Sequence, residues 1–460
     1  MQRVELGELL RGVGLEFVSD RSGLEQCSIS SLSTDTRSLK KGDLFLAIPG
    51  EQHDGHSFVG EALSRGASGV LFEIGRKADL QKQIDGSPKT LFVGVADTRH
   101  TLGSMARNYA QKFKLIKCAL TGSAGKTTTK GLIHAVLSQK FRVVANVQSY
   151  NNDIGVPKTL LKVDRSTQIL VQEIGTNHPG EIAYLADLVQ PDCALVTNVG
   201  PAHIGYFGSV RKIVREKREL LRSLRGNGTA FVNVEDSYAG MLMRGVRASI
   251  ETFGLRKGST FPDRIIKRGV DFTEFILGGQ TIRARVLGTH GVLNAIAAAA
   301  VGKHFGLSVN EIKRGIEAFE GESGRGLIHR HGGVTFVDES YNANPLSVSA
   351  SLAYLGGMET AGRKIFVFAD MLELGRSSNR YHREVAREVL KRGVDIVYTY
   401  GEKAAITSAQ CSASGHRKVL HFDDVDTLGV QLGKEIVEGD VVLVKGSRAM
   451  GLERAIQPFV

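Results

Sequence analysis

The chain has 460 residues, of which 42% are hydrophobic and 23% are charged, and its formal net charge is +11. Its length predicts about three domains, and its composition is that of a soluble globular protein with sizeable cores. No window approaches the roughly 20 uninterrupted apolar residues of a membrane span. The first residues lack the basic start and cleavage site of a signal peptide. We therefore expect a cytoplasmic protein with no membrane span.

The first hundred residues are predicted to form a small α/β unit. Apolar runs at 43–48, 69–73 and 90–95 indicate strands, and residues 59–66 indicate a helix. From about residue 114, short apolar runs at 115–120, 169–173 and 194–197 alternate with Gly-rich turns and helices. Alternation of this kind predicts a parallel sheet with helices on both sides.

A second alternating series begins near residue 321. Its candidate strands are 334–337, 365–368, 396–400 and 441–444, with candidate helices at 346–356 and 380–392. This pattern predicts a Rossmann-like domain, although no GxGxxG follows its first strand. The fold class is therefore α/β in three domains: a small N-terminal domain at 1–99, a central parallel-sheet domain at 100–320 and a C-terminal Rossmann-like domain at 321–460.

The four cysteines are Cys27, Cys118, Cys193 and Cys411. None forms a CxxC pair, and no histidine lies near them at zinc-finger spacing. We therefore expect buried reduced thiols rather than a disulfide or a zinc site.

Positive charge is concentrated between residues 211 and 225. A nucleic-acid partner is one interpretation, but basic charge also suits nucleotide and phosphate substrates or a solvated face. The sequence has no RNP, zinc-finger or helix-turn-helix signature, so we expect no nucleic-acid partner. The residues concerned are Arg211, Lys212, Arg215, Lys217, Arg218, Arg222 and Arg225.

A phosphate-binding loop is predicted between the strand at 115–120 and the helix that starts at Lys126. Backbone N–H groups of a Gly-rich turn can approach phosphate oxygens, and the helix N-terminus favours anions. Lys126 can reach the β and γ phosphates, and the Thr127 hydroxyl can bind Mg²⁺. Two residues separate the glycines, where the general Walker pattern has four. The predicted nucleotide-binding residues here are Gly122, Ser123, Ala124, Gly125, Lys126, Thr127 and Thr128.

Three polar residues follow predicted strands or lie in the basic helix. Glu173 ends a strand, which is where a Mg²⁺ ligand is needed beside a phosphate loop, but a solvated turn is an equal alternative. A single histidine after a strand, such as His203, is usually structural. Taken alone, Lys217 is expected to be a solvated charge.

The loop TGSAGKTTT at 121–129 resembles that of the Mur ligases and folylpolyglutamate synthases, which activate a carboxylate with ATP and then form an amide. The order EIGTNHPGEI, TNVGPAH and a K-x-E helix is similar to that of the Mur ligases. The resemblance implies that Glu173 and Thr127 hold one Mg²⁺. It also implies that His203 and a carbamylated Lys217 hold a second.

Other segments resemble the Mur ligases that add D-alanyl-D-alanine. They are YNNDIGVP at 150–157, DESYNANP at 338–345, ADMLELG at 369–375 and KGSR at 445–448. The competing branch, which adds the third residue of the stem peptide, often carries a DNPR motif, and that motif is absent here. The resemblance implies that residues 1–99 form a substrate domain, in which the UDP-sugar lies against Asp35, Thr36 and Arg37. It also implies that residues 100–320 form a P-loop ATPase-type domain. The other implied substrate-binding residues are Asn151, Asn152, Thr176, Asn177 and Asn342.

The resemblance also implies that His290, Asn294, Arg325 and Asp338 lie near the nucleotide. This chain departs from the family pattern at Gly291, where Asn is usual, at Glu339, where Asp is usual, and at Ala369, where Gly is usual. For Arg325, a charge on the surface of the hinge is the alternative.

The implied function is an ATP-dependent ligase that joins D-alanyl-D-alanine to UDP-N-acetylmuramoyl-tripeptide through an acyl phosphate. Lys126, Lys217 and His203 are the implied catalytic residues, and ATP with two Mg²⁺ ions are the implied cofactors. We expect a monomer. Two alternatives remain: a P-loop ATPase acting on nucleic acid, and a binding or scaffold protein on an inactive ligase fold.

Overall fold

The computed structural model describes residues 1–50, 52–256, 259 and 265–460. These residues divide into two compact units. The first unit comprises Met1–Lys117, Arg142–Ile174 and Tyr184–Gln190, and the second comprises Cys118–Phe141, Gly175–Ala183 and Pro191–Val460.

The secondary structure alternates between strands and helices along most of the described chain. The strands are β1 Val4–Glu5, β2 Leu15–Val18, β3 Ser28–Ile29, β4 Leu32–Ser33, β5 Leu44–Leu46, β6 Gly69–Glu73, β7 Leu91–Val95, β8 Ile116–Thr121, β9 Val143–Ala145, β10 Ile169–Glu173, β11 Cys193–Val196, β12 Thr229–Asn233, β13 Ser249–Phe253, β14 Ile265–Arg268, β15 Thr273–Leu277, β16 Gln280–Ala284, β17 Leu327–His331, β18 Val334–Glu339, β19 Lys364–Ala369, β20 Ile396–Tyr400, β21 Val419–Phe422 and β22 Val441–Lys445. The helices are α1 Leu6–Leu9, α2 Arg21–Gln26, α3 Val59–Ser64, α4 Gln81–Gly86, α5 Thr98–Ala110, α6 Lys126–Leu137, α7 Gly155–Leu160, α8 Glu181–Val189, α9 Ile204–Phe207, α10 Val210–Arg222, α11 Ala239–Met243, α12 Gly288–His304, α13 Val309–Glu317, α14 Pro345–Gly356, α15 Ser378–Lys391, α16 Ala404–Ala413 and α17 Val425–Glu435.

The first unit contains a five-stranded sheet in the order β2-β7-β6-β5-β4. Strand β2 is antiparallel to β7, and the other neighbours are parallel. Phe45, Phe72 and Phe92 point into a core that Val59 and Ala62 of α3 complete. Strand β9 pairs in parallel with β10 in the same unit.

In the second unit, β11 pairs in parallel with β8 and β12, and β13 pairs in parallel with β12. Strands β14, β15 and β16 form a separate antiparallel sheet. Helix α12 packs against α6. The carboxyl ends of parallel strands in such a sheet are where ligands usually bind.

The C-terminal sheet of the second unit has the order β17-β18-β22-β19-β20-β21. Only β17 pairs antiparallel to its neighbour. One face is covered by α17, and the buried side chains there include Phe336, Val367, Tyr398, Leu428 and Val442. The loops that follow β18, β19 and β22 lie at the same edge of this sheet.

The strands and helices named in the sequence analysis are all present, within one or two residues at each end. The largest relative difference is at 43–48, where the strand is shorter, Leu44–Leu46. The mixed α/β fold class with parallel sheets is therefore confirmed, whereas the domain boundaries at 99 and 320 stay predictions. Cys118, Cys193 and Cys411 are buried, but Cys27 is half-buried, so the prediction of burial was wrong for that residue. Among the described helices, none is both long and apolar enough to cross a membrane.

Candidate active site

The predicted phosphate loop connects β8 to α6, and two glycines shape it. Gly125 has a φ of +75°, a left-handed conformation that a side chain disfavours. A Cβ atom at Gly122 would lie 1.8 Å from Thr197 Oγ1, so that position admits only glycine in this geometry. Helix α6 then begins at Lys126, as predicted, with Thr127 in its first turn.

The loop is held in place by the segment that follows β11. Ser123 N–H donates to the Asn198 carbonyl (3.0 Å), and Ala124 N–H donates to Asn198 Oδ1 (2.9 Å). The Thr197 hydroxyl and the Asn198 amide both donate to the Ala124 carbonyl. Because these two N–H groups are engaged within the protein, the N-terminal turn of α6 is the part of the loop best placed to offer backbone donors to a phosphate.

Two lysines meet at the carbonyl oxygen of Gly122. Lys126 Nζ lies 3.0 Å and Lys217 Nζ 2.9 Å from that oxygen. Lys217 is only 2% exposed, so the interpretation of this residue as a solvated charge was wrong. Burial, and then the charge of Lys126, lower the pKa of Lys217 well below its usual value. The neutral amine is therefore easier to form at Lys217 than in a solvated lysine.

Buried oxygens without a protein partner mark candidate metal ligands in each unit. In the second unit, Thr127 Oγ1 is buried and has no hydrogen-bond partner. In the first unit, Glu173 Oε2 at the end of β10 is likewise unpaired, while Asn151 Nδ2 donates to Glu173 Oε1 (2.7 Å). Buried polar atoms are rarely left unsatisfied without a reason. Hydroxyl and carboxylate oxygens are ligands that Mg²⁺ accepts.

The described residues contain no preformed cluster of metal-binding side chains. In the described part of the chain, no group of three or more His, Cys, Asp or Glu side chains could hold a metal ion. Any Mg²⁺ here would therefore depend on hydroxyl, water, phosphate or modified lysine oxygens in addition to carboxylates.

A cavity of about 210 Å³ lies beside the first turn of α6 in the second unit. It brings together four predicted nucleotide-binding residues, which are Thr128 of the loop, His290 and Asn294 on α12, and Arg325. Desolvation lowers the pKa of His290, so its ring is favoured in the neutral form. The Arg325 guanidinium stacks 3.9 Å from the centre of the Tyr341 ring. Arg325 is thus a wall of the cavity rather than a hinge-surface charge.

Asp338 does not line this cavity, whereas its neighbour Glu339 does. The Asp338 carboxylate accepts from the N–H and hydroxyl of Ser340, at 3.0 and 2.6 Å. Lys445 Nζ lies 2.7 Å from Glu339 Oε2 in a buried ion pair. Burial opposes ionisation of Glu339, but the charge of Lys445 and its hydrogen bond outweigh burial and lower the pKa of this carboxyl.

His203 follows β11, in the turn before α9. Its Nδ1 atom lies 2.5 Å from Glu373 Oε2. Both residues have left-handed backbones, with φ values of +55° and +62°. The ring of His203 lowers the pKa of the Glu373 carboxyl. His203 is therefore engaged with the loop that follows β19.

The predicted UDP-sugar residues lie in a 3-10 turn of the first unit, Thr36–Ser38. Asp35 caps this turn by accepting from Arg37 N–H, and its carboxylate also pairs with the Arg37 guanidinium at 2.7 Å. These interactions lower the pKa of Asp35 to about 2. The two side chains are 39% and 86% exposed, so both remain accessible to a ligand.

The remaining predicted substrate-binding residues mainly shape turns. Asn152 Oδ1 accepts from Gly155 N–H at the start of α7. The Thr176 hydroxyl donates to the His178 carbonyl, and Asn177 N–H donates to Glu181. Asn342 Oδ1 accepts from Ala343 N–H in the turn after β18. Each of these contacts is local, and the proposed contacts with substrate stay predictions.

Sequence reasoning missed four residues that shape the site: Thr197, Asn198, Glu339 and Glu373. The signal available for the first two was their position, because TNVG follows a strand adjacent to the phosphate-loop strand. Parallel neighbours end at the same edge, so polar residues there converge.

Comparison with known proteins places three family models along the chain. The Mur ligase family catalytic domain matches residues 28–110, the Mur ligase middle domain matches 120–302, and the Mur ligase glutamate ligase domain matches 324–448. Each of these segments contains part of the predicted site.

Relatives and solved structures match over nearly their whole length. The Bacillus subtilis UDP-N-acetylmuramoyl-tripeptide–D-alanyl-D-alanine ligase is 31% identical over 441 residues, which is 95% of this chain and 94% of that protein. A crystal structure of MurF from Acinetobacter baumannii has a TM-score of 0.89 and 29% identity, covering 100% of this chain and 99% of that one. The Thermotoga maritima MurF ligase in complex with ADP has a TM-score of 0.78 and 26% identity, covering 93% and 96%.

Proposed function

Because the chain belongs to the Mur ligase family, we propose that it joins D-alanyl-D-alanine to UDP-N-acetylmuramoyl-tripeptide and converts ATP to ADP and phosphate. The observation that carries the proposal is the meeting of Lys126 and Lys217 at the Gly122 carbonyl, beside the unpaired Thr127 hydroxyl. That arrangement serves phosphoryl transfer, whose main need is charge stabilisation around the moving phosphate.

The reaction has two steps. The terminal carboxylate of the tripeptide attacks the γ-phosphorus of ATP, which forms an acyl phosphate and releases ADP. The amine of D-alanyl-D-alanine then attacks the acyl carbon through a tetrahedral intermediate, and phosphate leaves. Lys126, at the start of α6, is placed to offset negative charge on the transferred group. Water must be excluded while the acyl phosphate exists.

The nucleotide is proposed to occupy the cavity at α12. His290 and Asn294 line that cavity from one helix, and Arg325 closes it from the segment before β17. A Cβ atom at Gly125 would lie 2.7 Å from Asn294 Oδ1, so α12 directly abuts the phosphate loop. A base in the cavity and phosphates at α6 would therefore belong to one bound nucleotide.

The unpaired oxygens fit Mg²⁺, which would neutralise charge on the phosphates when bound. On the resemblance, Thr127 Oγ1 and Glu173 Oε2 are each proposed as an oxygen ligand of Mg²⁺. His203 and a carbamylated Lys217 are the proposed ligands of a second Mg²⁺ ion. A carbamate forms when a neutral amine attacks CO₂ and loses a proton, and the lowered pKa of Lys217 favours that neutral amine. The carbamate would supply the anionic oxygen that a hard cation prefers.

UDP-N-acetylmuramoyl-tripeptide and D-alanyl-D-alanine are the proposed substrates. A cytoplasmic location, a monomeric state and the absence of a nucleic-acid partner stay predictions. The substrate-binding roles of Asp35, Arg37, Asn151, Thr176 and Asn342 are proposed on the resemblance alone.

The proposal is tested by phosphate release from ATP and Mg²⁺ with UDP-N-acetylmuramoyl-tripeptide, with and without D-alanyl-D-alanine, and by the mass of the product. We expect release that requires both substrates and a pentapeptide product. Release with a single amino acid in place of the dipeptide would assign the chain to a neighbouring amino-acid-adding ligase. Release stimulated only by nucleic acid would favour the P-loop ATPase alternative.

A further inference from the structure

An unusual pair of residues faces one another at the His203 turn. Apart from glycines, only four described residues have positive φ values, and His203 and Glu373 are two of them. Such a conformation is strained in a residue other than glycine and persists only where surrounding contacts enforce it. The side chains meet through His203 Nδ1 and Glu373 Oε2, 2.5 Å apart. The atoms are at ion-pair distance, although the ring N–H is not aligned along a linear hydrogen bond.

The two turns are also joined through their backbones. Gly205 N–H donates to the Glu373 carbonyl (2.9 Å). A Cβ atom at Gly205 would lie 2.8 Å from that same oxygen, and one at Gly375 would lie 2.9 Å from the Gly205 Cα. Only glycine permits this approach at both positions. The backbone contact therefore holds the Glu373 backbone close to the turn that carries His203.

The loop that carries Glu373 is itself rigidly supported. Met371 N–H donates to the buried His382 Nε2 (3.2 Å), and Leu372 N–H donates to the Ser447 hydroxyl (2.9 Å). Ser447 N–H in turn donates to the Asp370 carbonyl (3.1 Å). Because three neighbouring residues are anchored to other elements, Glu373 is presented from a fixed support.

A carboxylate at one ring nitrogen decides what the other nitrogen can do. With Nδ1 facing Glu373, the proton is favoured on Nδ1, and Nε2 retains its lone pair. Metal-binding histidines generally donate their second N–H to such a partner, which sets the tautomer and makes the ligand more basic. We propose that Glu373 is a positioning residue that orients His203 so that Nε2 is presented to the metal ion. This inference rests on the proposed function of the site.

The arrangement has a structural consequence. His203 follows β11 of the central sheet, whereas Glu373 follows β19 of the C-terminal sheet. The His203 ligand is therefore correctly oriented only while these two loops are in contact. Binding of the metal at His203 is coupled to docking of the 370–375 loop.

The test uses Glu373→Gln, which keeps the shape of the side chain but removes its charge. The matched control is Glu251→Gln, because Glu251 faces His304 Nδ1 at 2.8 Å in a pair outside the site. Two measurements are made on the purified full-length protein in bicarbonate buffer. They are Mn²⁺ binding followed by electron paramagnetic resonance, and the ring-nitrogen spectrum of metal-free ¹⁵N-histidine-labelled protein, with His203 assigned by its loss in His203→Asn.

We expect Glu373→Gln to weaken one Mn²⁺ site by about 10- to 100-fold, and Glu251→Gln to leave both sites unchanged. In the metal-free wild type, we expect His203 protonated at Nδ1, with a mixture of tautomers in Glu373→Gln. Unchanged Mn²⁺ affinity in Glu373→Gln, or a wild-type His203 protonated at Nε2, would overturn the positioning role. The wild-type spectrum decides the question even if the variant fails to fold.

Neither measurement uses ATP or the two substrates of amide formation. A failed phosphate-release assay would therefore overturn the proposed ligase activity, whereas retained release with an unaltered Mn²⁺ profile in Glu373→Gln would overturn this inference alone.

Discussion

The phosphate-loop region and the Asp35–Arg37 turn differ in the solvent exposure of their functional side chains. Around Gly122, the functional groups are buried: Lys217 is 2% and Thr127 1% exposed. At the turn of the first unit, the Asp35 and Arg37 side chains are 39% and 86% exposed and pair with each other. The Lys217 amine has a lowered pKa and the Thr127 hydroxyl lacks a hydrogen-bond partner, whereas the exposed groups are stabilised by local contacts.

This difference indicates a division between chemistry and recognition. Burying an amine lowers its pKa and strengthens its interactions with phosphate, but costs folding free energy. Exposed charges are screened, contribute little to stability and are free to exchange partners when a ligand arrives. Changes near Gly122 should therefore affect turnover and stability strongly, whereas changes at Asp35 should mainly affect the apparent affinity for the substrate.

The largest effect is expected for Lys126→Ala. Removing a preorganised charge at a transferring phosphoryl group costs at least about 10²–10³-fold in kcat, and we expect turnover to fall to the limit of detection. The fold should persist, because Lys126 lies at the start of α6 and makes its observed contact with a backbone carbonyl. Phosphate release measures the effect, with Lys162→Ala, an exposed lysine of the first unit, as the control. Near-normal turnover in Lys126→Ala would rule out the phosphate-loop assignment.

Lys217→Met should separate activity from stability. We expect loss of turnover with a gain of about 1–3 kcal/mol in the free energy of unfolding at neutral pH, because a poorly solvated amine is replaced by an apolar side chain. The comparison is made by denaturant unfolding in CO₂-free buffer, with Lys212→Met on the exposed side of α10 as the control.

The lowered pKa of Lys217 also predicts how the free energy of unfolding depends on pH, and Lys217→Met tests this prediction. The folded-state pKa of Lys217 lies below the usual 10.5, so between those two values the unfolded chain binds the additional proton. The free energy of unfolding of the wild type should therefore rise with pH in that window. Lys217→Met should lack this increment, so its advantage should shrink toward pH 10. A constant difference between the two proteins across this range would contradict the lowered pKa.

Gly122→Ala tests whether the close contact between Gly122 and Thr197 constrains the phosphate loop. The new Cβ would lie 1.8 Å from Thr197 Oγ1, and overpacking of this kind costs about 1–3 kcal/mol or more. Thr197→Ala removes that oxygen, so the double variant should recover part of the stability and of the ATP affinity lost in Gly122→Ala. Thermal unfolding and nucleotide titration measure both effects. Strictly additive losses would show that the contact does not constrain the loop.

The smallest effect is expected for Asp35→Asn. The Asp35 carboxylate is exposed, so its loss should leave the melting temperature nearly unchanged while raising KM for the UDP-linked substrate with little effect on kcat. Since the pKa of Asp35 is about 2, the wild-type interaction should stay constant from pH 5 to 8. A fall in kcat as large as that of Lys126→Ala would contradict the assignment of chemistry to the phosphate-loop region and of substrate recognition to the Asp35–Arg37 turn.

The parts of the site that depend on adjacent residues could be predicted from the sequence. The α6 helix begins at Lys126, and β10 spans Ile169–Glu173, both as expected. A phosphate loop formed by a Gly-rich turn and Lys-Thr depends only on local geometry, so a few consecutive residues are enough to predict it.

The parts that depend on packing between distant segments could not be predicted. Lys217 lies in a basic helix, and its burial follows from docking against Gly122, 95 residues earlier. Glu339 pairs with Lys445 across 106 residues, and Glu373 meets His203 through two glycines whose close approach leaves no pattern in either segment. Helical charge periodicity indicates a solvated face and carries no information about which member of the run is buried.

The central claim is that ATP activates the tripeptide carboxylate as an acyl phosphate. It is tested most directly with UDP-N-acetylmuramoyl-tripeptide carrying ¹⁸O in its terminal carboxylate, followed by mass analysis of the released phosphate. Attack of the carboxylate on the γ-phosphorus predicts one ¹⁸O atom in each phosphate and one retained in the new amide. Unlabelled phosphate formed together with the amide product would contradict the acyl phosphate and the role assigned to the phosphate loop.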